Sequence, residues 1–426
     1  MAYIALISEH ASPLAAPGSV DCGGQNVYVG QVARAFAAAG HEVDVFTRRD
    51  SPKQPESMSW VPGVHVVHVP AGPPRYLPKE KLLPFMAEFG RYLVRHRRRK
   101  AQRYDVMHAN FFMSAQAALP AARAQGCPLV VTFHALGKVR RLHQQSADAF
   151  PDSRFAIEEN IVRQADCLIA ECAQDREDLL NLYDADAKRI RVVPCGYDSA
   201  EMYPQDMALA RRRLGWAPAE FRVLQLGRLV PRKGVDNVIR AVARLRSGYG
   251  IEARLCIVGG DAPRPDAPTS AEMARLMGVC EEEGVRSGVE FAGRRDRWEL
   301  ADYYGASDVF VTTPWYEPFG ITPLEAMACA RPVVGADTGG IRSTVVDGQT
   351  GYLVPPRDPD ALARRLAQLA ADPALRRRMG MAGRRRAERL YTWGHVADEL
   401  LNVYARLGDG DRRTRRIAEA SVRAAA

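Results

Sequence analysis

Two carboxylates, Glu317 and Glu325, flank the loop Phe319-Gly320-Ile321-Thr322, which runs straight into a helix. A carboxylate pair can divide general-acid and general-base work, as it does in glycoside cleavage. Thr322 reads as the N-cap of that helix, Pro323 as its first residue, and Glu325 as the residue that completes a capping box. A helix start beside a flexible glycine presents outward N–H groups and a partial positive charge. That is a ready site for an anion.

Three further stretches point to anion or sugar chemistry. Gln225-Leu226-Gly227-Arg228-Leu229-Val230-Pro231-Arg232-Lys233-Gly234 follows a strand and opens a helix, with Arg228 and Lys233 placed to meet a diphosphate. A guanidinium supplies a fork of donors and an ammonium a point charge. Val20-Asp21-Cys22-Gly23-Gly24-Gln25-Asn26 precedes another helix, and its paired glycines let backbone approach a phosphate. A dinucleotide site would need a tight G-x-G-x-x-G turn directly after the strand, which is absent here. His134 ends the strand Leu129–Phe133, where an imidazole can hydrogen-bond a sugar or orient an acceptor.

The elements that must position these residues alternate along the chain. Strands are expected at Tyr3–Ser8, Glu42–Thr47, Val64–Val69, Val106–His108, Leu129–Phe133, Cys167–Ala170 and Ile190–Pro194. A second set falls at Arg222–Gly227, Ala253–Val258, Val289–Phe291, Val309–Thr312 and Pro332–Gly335. Helices are expected at Asn26–Ala39, Gly234–Ser247, Ala271–Glu283, Pro323–Cys329 and Asp360–Ala371. Such alternation builds parallel α/β sheets from βαβ units. Two Rossmann-like domains, 1–198 and 199–395, would then face one cleft. Residues 396–426 would form a C-terminal helix and tail, with a return onto the first domain as one arrangement. The stretch from Gly408 onward is polar and rich in Arg and Ala, and is expected to fray or form a loose helix. Open α/β sheets bind ligands at the carboxyl ends of their strands, where these motifs cluster.

Bulk properties narrow the function classes. A chain of 426 residues suggests about two to three domains. No apolar run reaches the about 18 residues that a membrane-spanning helix needs, and the first residues read as a strand and not as a signal peptide. The eight cysteines are scattered without metal-ligand spacing, which points to a reduced, cytoplasmic and metal-free protein. The net charge of +9 suits a phosphorylated substrate or an anionic surface, but no nucleic-acid motif accompanies it.

The wording EPFGITPLE, the following strand and the Gly339-Gly340 turn resemble the Glu-x7-Glu region of retaining family 4 glycosyltransferases of GT-B fold. The 225–234 loop resembles that family's G-R-x-x-x-x-K-G motif, and Thr132-Phe133-His134 its T-x-H motif. The resemblance implies a nucleotide-sugar donor, such as a UDP- or GDP-hexose, with no metal and no separate cofactor. Arg228 and Lys233 would neutralise the leaving diphosphate, aided by the amides of Phe319, Gly320, Ile321 and Thr322. Glu317 would hold donor-sugar hydroxyls, Glu325 the ribose, Arg294 would lie beside the base, and Gly23 and Gly24 would approach the donor. Front-face displacement, in which the departing diphosphate takes the acceptor's proton, would retain configuration. Closure of the two domains over the donor is also implied.

The acceptor side mixes two groups within the family. Gly23, Gly24, Asn26, Val27, Tyr28 and Val29 are similar to the inositol-phosphate transferases, as are the cations Lys79 and Arg154. Phe111 and Ala135 stand where that group carries Tyr and Thr, so two hydroxyls are missing. Gln25 resembles the sucrose-phosphate synthases instead. Lys138, Arg140 and Arg141 could compensate. The expected acceptor is a sugar phosphate or polyol phosphate.

Two rivals stay open. Residues 80–103 carry Leu82, Leu83, Phe85, Met86, Phe89 and Leu93 with a dense basic end, a segment able to lie on an anionic bilayer and serve a lipid-linked or polysaccharide acceptor. An inactive nucleotide-sugar-binding relative is the other. The D-x-D pairs Asp184/Asp186 and Asp409/Asp411 match a metal motif of a different transferase fold, but neither follows a buried strand.

Overall fold

A computed structural model describes residues 1–15, 23–99, 103–260, 262–263, 268 and 270–424, the side chains of 97–99 and 409–424 excepted. Val20, Asp21 and Cys22 of the first glycine loop lie outside these residues, as do the side chains of Asp409 and Asp411.

Eight strands form the first sheet: β1 Tyr3–Ile7, β2 Glu42–Arg48, β3 Ser57–Val61, β4 Val64–Val69, β5 Val106–Asn110, β6 Leu129–Thr132, β7 Cys167–Ala170 and β8 Ile190–Val192. Their order is β3-β4-β2-β1-β5-β6-β7-β8, parallel throughout except for the antiparallel β3–β4 pair. Six parallel strands form the second: β9 Phe221–Leu226, β10 Ala253–Val258, β11 Val289–Gly293, β12 Val309–Thr312, β13 Val333–Ala336 and β14 Gly351–Val354, ordered β11-β10-β9-β12-β13-β14. Strand order reverses at β1 in one sheet and at β9 in the other. The loops with Gly23 and Arg228 follow those two strands, and Glu317 follows β12, next to β9.

Both sheets are covered on each face, which explains the near-continuous apolar strands. On one face of the first sheet, the helix Gly24–Ala38 buries Tyr28, Val29, Val32 and Phe36 against Ile4, Val43, Val45 and Val66. On the other face, the helix Met86–Arg99 buries Met86, Phe89 and Leu93, together with Leu82 just before it. Fully burying such a side chain contributes about 1.5–3 kcal/mol. The apolar stripe of 80–103 is used by the core, packed with the helix Phe112–Gln125, while the side chains of its basic end, 97–102, lie outside the described residues. No described helix is long and apolar enough to cross a membrane.

The last helix, Trp393–Ala424, returns to the first domain. It packs on Gly24–Ala38, with the rings of Phe36 and Tyr404 5.7 Å apart. The Tyr404 hydroxyl lies 2.6 Å from His108 Nδ1, both groups buried. Tyr197 N donates to Tyr391 O at 2.9 Å, so the chain passes between the two sheets at two adjacent points.

Candidate active site

Beyond β9 the chain turns through Arg228 and the 3-10 turn Pro231–Lys233, then enters the helix Val235–Tyr249 through Gly234. Gly234 has φ 63°, and a Cβ there would lie 2.1 Å from Thr313 O, so only glycine fits. Thr313 Oγ1 donates to Gly234 O at 2.9 Å and Trp315 N to Arg232 O at 2.9 Å. These bonds fasten the basic loop to the segment that carries Glu317.

The Glu317 carboxylate is ion-paired with Lys233 Nζ, and Arg232 Nη1 stands 3.9 Å away. Burial alone would push the Glu317 carboxyl up, but Lys233, Arg232 and Arg228 together hold it below the usual carboxylate range. Lys233 is lowered, first by burial and then by its cationic neighbours Arg232 and Arg228, against the pull of Glu317. Three cations thus gather around one carboxylate. Arg232 Nη1 is buried and, among the described residues, has no hydrogen-bond partner besides its 3.9 Å approach to Glu317.

The helix after Glu317 is Ile321–Ala328, and its N-cap is Gly320 at φ 90° without a side-chain cap. The expectation of a Thr322 N-cap with a Glu325 capping box is therefore corrected. A residue in the left-handed region turns the chain into the helix two positions earlier, which places Thr322 and Pro323 inside the first turn. Glu325 is 2 % exposed and faces another helix, Arg297–Ala306. Its Oε1 accepts from Arg297 Nη2 and its Oε2 from the Tyr304 hydroxyl, each at 3.0 Å. The Glu317–Gly320 backbone is closely backed by the Gly339-Gly340 turn, where Gly340 N donates to Glu317 O at 3.0 Å. Phe319 is buried, its ring 6.2 Å from that of Tyr391. Arg294 follows β11, and its backbone N donates to Ala262 O at 2.7 Å.

The first domain faces this helix start with one of its own. A Cβ on Gly24 would sit 3.7 Å from Ile321 Cδ1, so the two helix N-termini oppose each other across the cleft. Gln25 Nε2 donates to Ser8 Oγ at 3.2 Å and to Asn110 O at 3.1 Å. Asn26 is buried, its Oδ1 accepting from Gly23 N and its Nδ2 donating to Ser12 O, each at 3.0 Å. The two polar ends of Asn26 thus tie Gly23 to the segment that follows β1.

His134 lies just beyond β6 at φ 56°, with Nδ1 2.9 Å from Glu171 Oε1 and Nε2 3.0 Å from Asn110 Oδ1. Glu171 and Asn110 follow and end the neighbouring strands β7 and β5. The sequence reading missed both, although Glu171 stands at the end of its strand much as His134 does. It also missed the contacts that join the domains beside the donor loop. Gln144 Nε2 donates to the Tyr316 hydroxyl at 2.5 Å, His143 stacks on Tyr316 at 4.8 Å, and Cys172 Sγ donates to Pro318 O at 3.2 Å.

The expected acceptor cations fare unequally. Arg154, fully buried, pairs with Glu158 at 2.7 Å and donates to Ala135 O, and its guanidinium lies over the rings of Phe111, Phe112 and Phe150. Phe111, Ala135 and Arg154 therefore do meet at one place. Arg154 Nη1 is buried there without a hydrogen-bond partner among the described residues. Lys138 instead donates to Leu182 O at 2.6 Å and pairs with Glu159 at 2.8 Å, so its charge is engaged away from Arg154. Lys79 lies in the short turn Lys79–Lys81, its Nζ 3.8 Å from Glu80. Asp186 of the first D-x-D pair caps a turn through Lys188 N at 2.9 Å.

Comparison with known proteins agrees with this architecture. Residues 22–201 match the family described as Glycosyltransferase Family 4, and residues 206–386 the family Glycosyl transferases group 1. A D-inositol 3-phosphate glycosyltransferase of Stackebrandtia nassauensis is 38 % identical over 416 residues, covering 96 % of this chain and 92 % of that protein. The homologue of the same name from Xylanimonas cellulosilytica is 38 % identical over 410 residues, covering 94 % and 96 %. Among solved structures, sucrose-phosphate synthase from Thermosynechococcus elongatus superposes with a TM-score of 0.86 at 34 % identity, covering 96 % of this chain and all of that one. With its two parallel-sheet domains and both halves matched, the chain belongs to the family 4 glycosyltransferases of GT-B fold.

Proposed function

We propose that this enzyme moves a hexosyl unit from a nucleotide sugar to a sugar phosphate or polyol phosphate, with retention of configuration and without a metal. The observation that carries the donor half is that two cations, Lys233 and Arg232, meet at the single carboxylate Glu317. A diphosphate brings the negative charge that this loop lacks. In the reaction, Arg228 and Lys233 would stabilise charge as it develops on the leaving diphosphate, and the start of the helix Ile321–Ala328 would add its partial positive end. Glu317, freed from Lys233 when the diphosphate arrives, would hold hydroxyls of the donor sugar. Glu325 keeps lone pairs for the ribose beside its bonds to Arg297 and Tyr304.

For the acceptor, the relatives named for inositol 3-phosphate and the sucrose-phosphate synthase likeness favour a small phosphorylated alcohol. Arg154 Nη1, without a hydrogen-bond partner among the described residues, is the feature of this chain that suits it. The test is to titrate the purified protein with UDP-, GDP- and ADP-sugars, alone and with inositol 3-phosphate or fructose 6-phosphate, while following diphosphate release. Release that depends on one of the phosphates is expected. Donor binding with no release for any soluble phosphate would overturn the acceptor assignment.

A further inference from the structure

His134 is held from two sides. Its Nδ1 meets Glu171 Oε1 at 2.9 Å and its Nε2 meets Asn110 Oδ1 at 3.0 Å. The Asn110 amide is oriented by its own surroundings, since Nδ2 points to His108 O at 3.3 Å and to Ile7 O at 3.5 Å. Its oxygen is therefore the atom presented to the ring. A ring that meets acceptors at both nitrogens donates from both. A carboxylate is the group able to balance the charge of such a ring.

Glu171 is placed for that task. It is 3 % exposed, and besides His134 it accepts a hydrogen bond from Cys195 Sγ at 2.9 Å. Burial would raise its carboxyl, but His134 and the bond from Cys195 keep it below the usual range. Asp175, which accepts from Glu171 N at 2.9 Å, is pushed the other way, up to about 8, by burial and by the Glu171 charge. The local negative charge thus rests on Glu171. Tyr28 closes the ring's remaining side, edge-on at 4.8 Å, and neutral His108 lies behind it.

The pair also lies next to the donor loop. Cys172, adjacent to Glu171, bonds Pro318, adjacent to Glu317, and the two carboxylates feel each other's charge.

We propose that Glu171 is a positioning residue of this site, holding His134 as a double donor in one ring orientation at the first-domain wall of the cleft. The inference rests on reading His134 as part of the transferase site. Its test therefore uses a readout independent of turnover. Full-length protein labelled with 15N-histidine, its His134 signals assigned by loss in His134→Gln, is compared with Glu171→Ala and Glu171→Gln. The two ring nitrogens of wild-type His134 are expected to show the 15N shifts of a ring hydrogen-bonded at both ends, and Glu171→Ala is expected to lose that signature. Transfer should fall by about 10- to 100-fold, as when a carboxylate that orients a working imidazole is removed, with UDP affinity unchanged. Glu171→Gln keeps the shape without the charge and stands in should the alanine variant fail to fold. Unchanged His134 signals in the folded variants would overturn the proposal. A wild-type protein that transfers to no acceptor would instead overturn the transferase reading, and the ring signals would still decide the role of Glu171.

Discussion

On the second-sheet side of the cleft, Arg232 and Lys233 share one carboxylate, Glu317, whereas on the first-sheet side Arg154, Lys138, Arg140 and Arg141 pair with Glu158, Glu159, Asp148 and Asp152. Cations in excess draw in an anionic ligand, while cations already matched hold a shape. The contrast is sharpest between Lys233 and Arg154. The former stands among like charges on a loop pinned at both ends. The latter is wrapped by three phenylalanine rings and a buried partner, with a single nitrogen left over.

The largest expected effect tests the shape-holding side. Arg154→Ala strands the Glu158 carboxylate, whose own pKa burial already raises, and should cost about 3–5 kcal/mol of stability in urea denaturation. A loss below about 1 kcal/mol would mean that Arg154 is held for ligand alone. Lys233→Ala should lower kcat/KM by about 100- to 1000-fold, read by diphosphate release, since it removes one stabiliser of developing charge. A drop of only a few-fold would place the leaving group elsewhere.

Restoring hydroxyls sharpens the comparison from the acceptor side. The double variant Phe111→Tyr with Ala135→Thr should raise kcat/KM for inositol 3-phosphate by about tenfold, a conservative figure for new hydrogen bonds to a charged group. Donor affinity should not change. No gain with any phosphorylated acceptor would show that Phe111 and Ala135 do not face the phosphate.

A last effect is a slope with pH. Asp175 titrates near pH 8 in the folded chain against an ordinary 3.8, so between those values the native state binds the extra proton. Stability from this group is full at acid pH and is lost as pH rises toward 8. Thermal melts of Asp175→Asn should therefore fall less than wild type between pH 5 and 8. Parallel curves would remove Asp175 from the charge balance around Glu171.

What could be read in the sequence was local. The expected strands were found, most of them within one or two residues, because parallel strands buried on both faces show as continuous apolar runs. β3 was missed because Ser57–Val61 is a polar, half-exposed edge strand, and β14 because Gly351–Val354 is short and opens on glycine. The basic loop and the Glu317 segment were legible as contiguous words. Thr322 was misplaced because a capping pattern was present while the actual turn came from Gly320 at φ 90°. Glu171 was invisible because it meets His134 only through the adjacency of β6 and β7. The pairing of Arg154 with Glu158 was one helical turn away in the sequence, and charge bookkeeping there would have found it.

The return of the last helix also sets a schedule for synthesis. Tyr404 seals its contact with His108 across 296 positions of chain, an interval of roughly 15–60 s at about 5–20 residues per second. For the part of that time after β8 has been made, Phe36 and its neighbours on Gly24–Ala38 lack their cover although the first sheet is complete. The nascent amino-terminal half must wait, apolar strip uncovered, for the helix that starts at Trp393 to leave the ribosome. A stop codon placed before Trp393 would make that waiting state permanent.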